Sequence, residues 1–339
     1  MHDVARLAGV SVKTVSNVIN DYPHVRGTTR ERVLTAIDEL DYHPNLTARG
    51  LRSGRTGVIG LAVPALRESY FAELADAIIR AADARGLGVV IEQTSGDRER
   101  ELQAVRGGRL RLTDGLIFSP SALGQKDAES LGTSFPLVLL GERIFDGPTD
   151  HVAMHNTSSA RAATEHLLDI GRRRIAIIGT ERERGQEASS AGLRLDGYLL
   201  ALERADVEVD ADLIRPNEHW SRSAGAETTR TLIDDGVRFD AIFALNDTLG
   251  LGALRALGEA GLRVPEDVAV IGFDNTDEAE FSMPSLTSVD IGREQIATEA
   301  VDLLIERIAE KGTRRAPRTV TPDFQIIRRE STGFSGRRR

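Results

Sequence analysis

The chain has 339 residues, a formal net charge of −9 at pH 7 and no cysteine. This length has room for two or three domains. A chain without cysteine has no disulfide, no thiolate metal site and no cysteine nucleophile. Because no apolar run approaches the length that spans a bilayer, we expect no membrane partner.

The first element is a predicted helix with one apolar stripe. Val4, Leu7 and Ala8 follow the i, i+3, i+4 spacing of a buried helix face. Gly9-Val10 comes next, and glycine suits the tight corner of a helix-turn-helix.

The second predicted helix carries two long polar side chains. Ser11 is placed to cap it, since its hydroxyl can accept from a backbone N–H one turn further on. Lys13 and Asn17 are i, i+4 neighbours on one face, where they could enter a DNA groove about as wide as a helix. Asparagine pairs with adenine, and lysine reaches guanine acceptors or phosphates. The buried stripe is expected to be Val15, Val18 and Ile19.

The third predicted helix opens with the spacing of a capping box, from Thr28 to Glu31. His43-Pro44 ends it, because a residue before proline disfavours the α region. Two interpretations remain open from these patterns alone: a DNA-reading head, or three packed helices that bind no nucleic acid. The buried face of this helix is expected to be Val33, Leu34, Ile37 and Leu40.

Several short motifs make this segment similar to the N-terminus of the lactose/galactose-repressor (LacI) family, and the resemblance extends over nearly the whole chain. The motifs are Asp3-Val4-Ala5, Gly9-Val10-Ser11, Thr14-Val15-Ser16, Val18-Ile19-Asn20, Thr29-Arg30, Asn45 and Ala48-Arg49 with Leu51. The resemblance implies a cytoplasmic regulator that binds a palindromic double-stranded DNA operator as a homodimer, through a helix-turn-helix domain over residues 1–44. The DNA-binding residues that it implies are Val12, Lys13, Thr14, Ser16, Asn17, Asn20, Arg49 and Leu51.

Residues 45–56 are expected to form a hinge helix and linker. In the family the hinge lies in the minor groove, and the leucine matching Leu51 wedges into a central base step. Apolar wedges of this kind kink DNA at a cost of a few kcal/mol per step. So short a helix is not stable alone in water, and Gly50 costs it up to ~1 kcal/mol more. We therefore expect the hinge to be helical only beside a partner hinge on DNA.

Charge favours DNA only at the N-terminus. Residues 1–55 carry eight basic and six acidic side chains, which leaves a net charge of −11 on the remaining residues. Only the head is therefore expected to attract phosphates.

After residue 56, short apolar runs alternate with helical stripes. This alternation implies parallel sheets covered on both faces. The expected fold class is an all-α helix-turn-helix head plus an α/β body that resembles periplasmic binding proteins, with two doubly wound parallel-sheet subdomains. The predicted strands are Val58–Val63, Val89–Glu92, Leu116–Phe118, Leu137–Leu140, Ile175–Ile178, Ala241–Leu245 and Val268–Phe273. The predicted helices lie at about 70–86, 157–171, 192–205, 223–236, 247–261 and 293–310.

By the resemblance, residues 57–330 form the ligand-binding and dimerisation domain. Its first subdomain is expected to take about 57–157 plus 289–320, and its second about 158–288 plus 321–330. Residues 331–339 are expected to be a disordered tail, and without leucine heptads they do not predict a coiled-coil tetramer.

Ligands bind such sheets beyond the carboxyl ends of the strands, so candidate residues follow from strand ends. Tyr70-Phe71 open the helix after the first strand and could stack on a ring; core packing is the alternative for Phe71. Arg194 matches a ligand-contacting arginine of the family, whose fork can bind two hydroxyls or a carboxylate; a surface ion pair is the alternative. Trp220 matches a residue that stacks on the ligand, with core packing as the alternative.

Two further strand ends carry acids. Asn246-Asp247 follow a predicted strand, and the family uses this pair at the ligand cleft. Asp274 matches the family's main acceptor of ligand hydroxyls or ring N–H groups, and carboxylates pair well with vicinal sugar hydroxyls.

The chain departs from the family pattern in several places. His155 and the run Gly141-Glu142-Arg143 stand where an aspartate is commoner, which leaves the ligand open. Asn17 replaces a more frequent arginine, so operator bases are not carried over. Met1-His2 stand where the family has a threonine cap, which suggests that the native chain starts further upstream.

The leading functional hypothesis is a ligand-controlled repressor. Trp220, Arg194 and Asp274 resemble sugar-sensing members, so a carbohydrate effector is favoured; Tyr70-Phe71 resembles a purine-sensing member, which makes a purine or nucleoside the alternative. A solute-binding transport protein shares the sensor fold but lacks the head. With no Walker loop, zinc-helix motif or nucleophile elbow, the sequence predicts no enzyme and no cofactor.

Overall fold

The computed structural model describes residues 1–19, 22–42, 55–181, 188–310, 312 and 314–333. They fall into two compact units, Met1–Gly57 and Val58–Arg339, here called the head and the body. Asn20, Arg49 and Leu51 lie outside the described residues, as does the predicted hinge except for residues 55 and 56.

The head contains three helices, α1 (His2–Ala8), α2 (Val12–Ile19) and α3 (Gly27–Glu39). The predicted cap of α2 is confirmed, since the Thr14 N–H donates to the Ser11 hydroxyl over 3.1 Å. Helix α1 has Met1 at its N-cap position and no side-chain cap. The small core of the head consists of Val4, Ala5, Ala8, Val15, Val18, Val33 and Ala36.

Two sequence predictions about the head are wrong. Leu7, Leu34 and Leu40, expected to be buried, are 50%, 49% and 43% exposed. Smaller side chains form the core instead, with Val4, Val15 and Val33 fully buried. The capping box at Thr28 to Glu31 is not formed either: α3 begins at Gly27, and its N-cap residue makes no side-chain cap bond.

The body is built on two six-stranded sheets. The first has the order β11-β5-β4-β3-β1-β2 and is parallel throughout. The second has the order β12-β10-β9-β8-β6-β7, with β12 antiparallel to β10 and the other pairs parallel. The strands are β1 (Val58–Val63), β2 (Gly88–Gln93), β3 (Leu116–Phe118), β4 (Leu137–Leu140), β5 (Asp150–Val152), β6 (Ile175–Thr180), β7 (Ile214–Pro216), β8 (Ala241–Ala244), β9 (Ala269–Phe273), β10 (Thr287–Asp290), β11 (Thr319–Val320) and β12 (Gln325–Ile327).

Helices connect the strands and cover the sheets. They are α4 (Ser69–Asp83), α5 (Arg98–Val105), α6 (Asn156–Asp169), α7 (Ser190–Arg204), α8 (Arg222–Asp234), α9 (Asp247–Glu259), α10 (Asp277–Phe281) and α11 (Arg293–Ala309). The strand order changes direction beside β1 in the first sheet and beside β6 in the second. These reversals are the points where doubly wound sheets open a crevice for ligands. The predicted fold class is thus confirmed.

Strands buried on both faces explain the continuous apolar runs in the sequence of the body. Every residue of β4, β6, β8 and β9 is buried, as expected for parallel strands covered by helices. Among the described residues no helix is both long and apolar enough to cross a membrane.

The predicted disordered tail is corrected at its start. Ser331 and Thr332 are buried, and the Ser331 hydroxyl donates to the carbonyl of Val270 over 2.6 Å while accepting from the Thr287 N–H over 2.8 Å. A polar segment can be ordered when its buried hydroxyls form hydrogen bonds with the backbone of neighbouring strands. Residues 334–339 lie outside the described residues.

Candidate functional site

Helix α2 of the head presents a polar face. Val15 and Val18 are buried against the other two helices, whereas Lys13 is exposed and Asn17 is half-buried. Val12, Thr14 and Ser16 are half-buried on the same short helix, and the Thr14 hydroxyl is 2.9 Å from that of Ser11. The arrangement suits a helix that reads base edges in a major groove.

An arginine fixes the turn ahead of α2. Arg32 on α3 donates to the carbonyl of Ala8 from Nε over 3.1 Å and to that of Gly9 from Nη2 over 3.1 Å. Gly9 has a φ of 61°, which glycine adopts without strain. The guanidinium therefore supplies donors to the last carbonyls of α1. Sequence reasoning missed Arg32, because its target lies 23 residues earlier in the chain.

The centre of the candidate effector site in the body is Arg194 on α7. Its side chain is 3% exposed, and Nε donates to Asn156 Oδ1 over 2.7 Å while Nη1 donates to the carbonyl of Leu245. The guanidinium carbon lies 3.5 Å from the centre of the Phe273 ring. Burial lowers the pKa of Arg194, with nearby carboxylates opposing the shift; an arginine stays charged at such a site. The surface ion pair, the alternative for Arg194, does not fit this burial.

Asp274 faces Arg194 from the end of β9. One carboxylate oxygen lies 3.8 Å from Arg194 Nη2, and no hydrogen-bond donor to this carboxylate is found within the described part of the chain. Burial raises the pKa of Asp274 to about 8, against the effect of Arg194. A hydroxyl or N–H donor placed against the carboxylate would favour its ionised form.

A strained turn holds Asp274 in place. Asp274 and Asn275 have φ values of 104° and 50°, which residues other than glycine rarely adopt. Asp247, the first residue of α9, accepts from the Thr276 N–H over 2.7 Å and from the Ser288 hydroxyl over 2.6 Å. Ser288 in turn accepts from the Asn275 N–H over 2.9 Å. Through these hydrogen bonds the fully buried Asp247 supports the turn that presents Asp274.

The other predicted residues lie around this pair. Tyr70 and Phe71 are half-buried, with ring centres 4.9 Å apart in an edge-to-face arrangement. Burial raises the pKa of Tyr70, and the carboxylates of Asp274 and Glu142 raise it further, so its hydroxyl is neutral. Trp220 packs beside the core, donates to the carbonyl of Gly179 over 2.9 Å, and lies 5.4 Å from the Arg194 guanidinium.

Asn246 has a defined local role. Its side-chain oxygen accepts from the Leu249 N–H over 2.8 Å and so caps α9. Contact of Asn246 and Asp247 with an effector remains a prediction, because both side chains are used by the protein itself.

Residues from both sheets meet at this site. Arg293 pairs with Glu73 over 2.6 Å, and the Asp277 N–H donates to Glu73 over 3.1 Å. Ser69 donates to Glu278 over 2.7 Å. Sequence reasoning missed these contacts, because α4 and α10 are about two hundred residues apart in the chain.

Replacement of Asp247 by asparagine is expected to change how stability depends on pH. Burial raises the pKa of Asp247 to about 7 from 3.8. Between these values the unfolded chain loses a proton that the folded protein keeps, so the wild type loses stability as pH rises from about 4 to about 7. Asp247→Asn should remove this part of the slope, because an amide does not titrate. The turn should be kept, since the amide can still accept from Thr276 and donate to Ser288. Urea unfolding at pH 5 and pH 7.5 measures the pH dependence; an unchanged slope would contradict the assignment.

Comparison with known proteins agrees with both halves of the chain. Residues 1–45 match the model of bacterial regulatory proteins of the lacI family, and residues 164–332 match a periplasmic binding protein-like domain. The HTH-type transcriptional repressor PurR of Pasteurella multocida is 32% identical over 96% of both chains. A transcriptional regulator CelR–cellobiose complex is 32% identical with a TM-score of 0.70, covering 97% of this chain and 98% of its own.

A third relative was solved on DNA. The lac repressor dimer bound to operator and the anti-inducer ONPF is 29% identical to this chain with a TM-score of 0.81. The match covers 97% of this chain and 98% of that one, so it includes both the head and the body.

Proposed function

Since the chain belongs to the lacI family of bacterial regulatory proteins, we propose that it is a ligand-responsive transcriptional repressor that binds a palindromic operator as a homodimer. The observation that carries this proposal is the presence, in one chain, of a capped helix presenting Lys13 and of a body whose buried Arg194 and Asp274 face each other over 3.8 Å. Each half alone would fit other functions, and together they fit a DNA-binding sensor.

We propose that Val12, Lys13, Thr14, Ser16, Asn17 and Asn20 read the operator, and that Arg49 and Leu51 act in the minor groove. Effector binding in the body would change operator affinity by a coupling of ~1–3 kcal/mol, which must be reciprocal. We further propose that the protein works in the cytoplasm and catalyses no reaction.

A homodimer is supported by exposed apolar side chains on the body. Phe281 at the end of α10 is 83% exposed and Met283 is 95% exposed. Large apolar side chains so exposed and so close in sequence are typical of a surface that is covered in the assembled protein. Two heads related by a twofold axis would match the symmetry of a palindromic operator.

A carbohydrate is the proposed effector, bound by Tyr70, Phe71, Arg194, Trp220, Asn246, Asp247 and Asp274. Asp274 supports it, since a carboxylate without a hydrogen-bond donor of its own is an acceptor for hydroxyls. The second candidate, a purine or nucleoside, is favoured by the edge-to-face pair of Tyr70 and Phe71, which offers a ring surface for stacking.

The DNA-binding proposal is tested on an operator selected from random duplexes. Lys13→Ala should weaken specific binding by at least about fivefold, as expected for loss of a base contact worth ~1–3 kcal/mol, and should barely change binding to random DNA. Arg6→Ala is the control, because it removes one positive charge from the exposed face of α1. Equal losses in both variants would show that charge alone acts.

The hinge proposal has its own variant. Leu51→Ala should weaken operator binding in gel-shift titrations while effector affinity stays nearly unchanged, since an apolar wedge acts on DNA only. Operator affinity equal to that of the wild type would refute the wedge role.

A further inference from the structure

Glu142 is a second buried carboxylate at the candidate effector site. It follows β4, where Gly141 turns the chain with a φ of 86°, and only 3% of the residue is exposed. Its position at the carboxyl end of a central strand brings it to the edge where ligands bind in such sheets.

The carboxylate of Glu142 links the two halves of the body, meaning the parts built on the first and on the second sheet. One oxygen accepts from the Met154 N–H over 3.1 Å, and the other accepts from the Ser190 hydroxyl, at the start of α7, over 2.9 Å. Two oxygens can accept about four hydrogen bonds, so the group retains acceptor capacity. Glu142 and Asp274 both act electrostatically on Tyr70 and on Arg194. The two carboxylates therefore border the same site.

The cations at this site already contact groups of the protein itself. Arg194 donates to Asn156 and to the carbonyl of Leu245. Arg293 pairs with Glu73 over 2.6 Å and donates to the carbonyl of Asp274 over 3.2 Å. In contrast, the carboxylate of Asp274 has, among the described residues, only the ion pair at 3.8 Å with Arg194 Nη2. Glu142 and Asp274 are thus the acidic groups at this site that retain acceptor capacity.

The helix ends near the site are also used. Side-chain oxygens of Ser189, Ser221 and Asn246 accept from the first turns of α7, α8 and α9. An N-terminal turn whose N–H groups meet the protein's own oxygens has less to offer a bound anion. Helix α9 also begins with Asp247, whose carboxyl oxygens accept from Thr276 and Ser288.

Neutral polar atoms of the body are also buried without a hydrogen-bond partner in the described part of the chain. Asn156 Nδ2 and Thr180 Oγ1 are two of them. Asn156 is the residue that holds Arg194, and Thr180 ends β6. Buried polar groups are rarely left unpaired in a working state of a protein. Asn156 Nδ2, on the residue that contacts Arg194, can be satisfied by an uncharged polar ligand.

We propose that Glu142 determines effector specificity: together with Asp274 it makes the site accept neutral molecules rich in hydroxyl or N–H donors and reject phosphorylated or carboxylated ones. This inference rests on the proposed sensor function and narrows it. The protein would then respond to a compound before a phosphoryl-transfer reaction consumes it, and not to the phosphorylated product.

The test uses matched neutral and anionic probes on the full-length protein. Thermal shift and calorimetry compare ribose with ribose 5-phosphate, glucose with glucose 6-phosphate and glucuronate, and adenosine with AMP, together with inorganic phosphate alone. We expect a neutral compound to bind at least about tenfold more tightly than its anionic partner, a difference of about 1.4 kcal/mol, because the carboxylate of Glu142 repels an anion strongly where water is excluded. Glu142→Gln should reduce that ratio at least about threefold.

Ser190→Ala is the matched control. It removes the hydrogen bond from the Ser190 hydroxyl to Glu142 but leaves the charge of Glu142 in place. If Glu142 acts by its charge, Ser190→Ala keeps the wild-type ratio. A loss of discrimination equal to that of Glu142→Gln would instead reduce Glu142 to a structural contact and overturn the proposal.

Operator binding in the same preparations separates the two levels of inference. The specificity proposal is overturned if an anionic probe binds the wild type more tightly than its neutral partner, or if no neutral probe binds. Intact operator binding would still leave the repressor proposal standing. Loss of specific operator binding in the wild type would contradict the repressor proposal whatever the probes show.

Discussion

Gly252→Ala is expected to destabilise the body by about 3 kcal/mol or more, because its methyl group has no space. A Cβ atom at this position on α9 would lie 2.7 Å from the backbone nitrogen of Ala226, and closer still to the carbonyl oxygen of Arg222, both on α8. Backbone atoms cannot rotate away as a flexible side chain can. Urea unfolding followed by the fluorescence of Trp220, the only tryptophan, measures the loss.

Gly258→Ala is the control on the same helix. Nothing lies within 4 Å of a Cβ built at Gly258, which is exposed on α9. Here alanine gains helix propensity and should stabilise the body by up to about 1 kcal/mol. The two substitutions make the same chemical change, so opposite signs isolate the clash at the helix contact. Equal effects would mean that α8 and α9 lie further apart than the structure shows.

The close contact of α8 and α9 also matters for the site. A Cβ atom built at Gly225 on α8 would lie 2.8 Å from the Cα atom of Leu249 on α9. Helix α9 begins at Asp247, which supports the turn that holds Asp274. A wider spacing between the helices would therefore move the start of α9. We expect Gly252→Ala to weaken effector binding as well as folding.

This contact shows one limit of the sequence. Gly250-Leu251-Gly252 is a glycine run that fails a dinucleotide-binding pattern, and the residues alone indicate no other use for it. The structure assigns Gly252 to helix packing and Gly250 to a contact with the side chain of Leu286. Since helix spacing depends on both partners, one helix sequence does not reveal it.

The strands that could be predicted are those with continuous apolar runs, such as β4 and β9, whose residues are all buried. Strands β5 and β10 were missed because they contain buried polar groups, among them Asp150 and Ser288. Such strands have no apolar signature, because their side chains are satisfied by arginines and carboxylates from distant parts of the chain.

The candidate site was predictable to a similar degree. Asp274, Asn246 and Tyr70 follow strand ends, and parallel strands bring their carboxyl ends to one edge. The residues that position them were not predictable: Ser288 and Thr276 form hydrogen bonds to Asp247 that only the folded chain brings together. Glu101 is another example, since it accepts N–H bonds from residues 121–123 and so holds the loop after β3.

Asp150→Ala is expected to destabilise the body by about 3–5 kcal/mol, as found when one partner of a buried ion pair is removed. Asp150 is fully buried at the start of β5, and the side chain of Arg307 on α11 is 5% exposed. The Asp150 carboxylate accepts from Arg307 Nε over 2.7 Å, from Arg315 Nη1 over 2.8 Å and from the Arg318 N–H over 2.8 Å. Without it, Arg307 keeps its charge but loses its main partner.

Arg315→Ala is the control, because its side chain is 27% exposed and its loss leaves the Asp150–Arg307 pair intact. We expect a clearly smaller loss of stability, near the ~1 kcal/mol of partly exposed pairs. A loss as large as that of Asp150→Ala would mean that Arg315 is the essential partner.

Acid should act on the same cluster. Burial by itself would raise the pKa of Asp150, but hydrogen bonds from Arg315, Arg307 and the Arg318 N–H lower it below its usual value of 3.8. A carboxyl with a lowered pKa stabilises the fold above the unfolded value and loses that contribution as pH falls through the folded value. The wild type should therefore lose stability below about pH 4 more steeply than Asp150→Ala. Because Asp150 binds β5 to α11 and to the residue just before β11, hydrogen exchange should show this loss first at the β5–β11 edge of the first sheet.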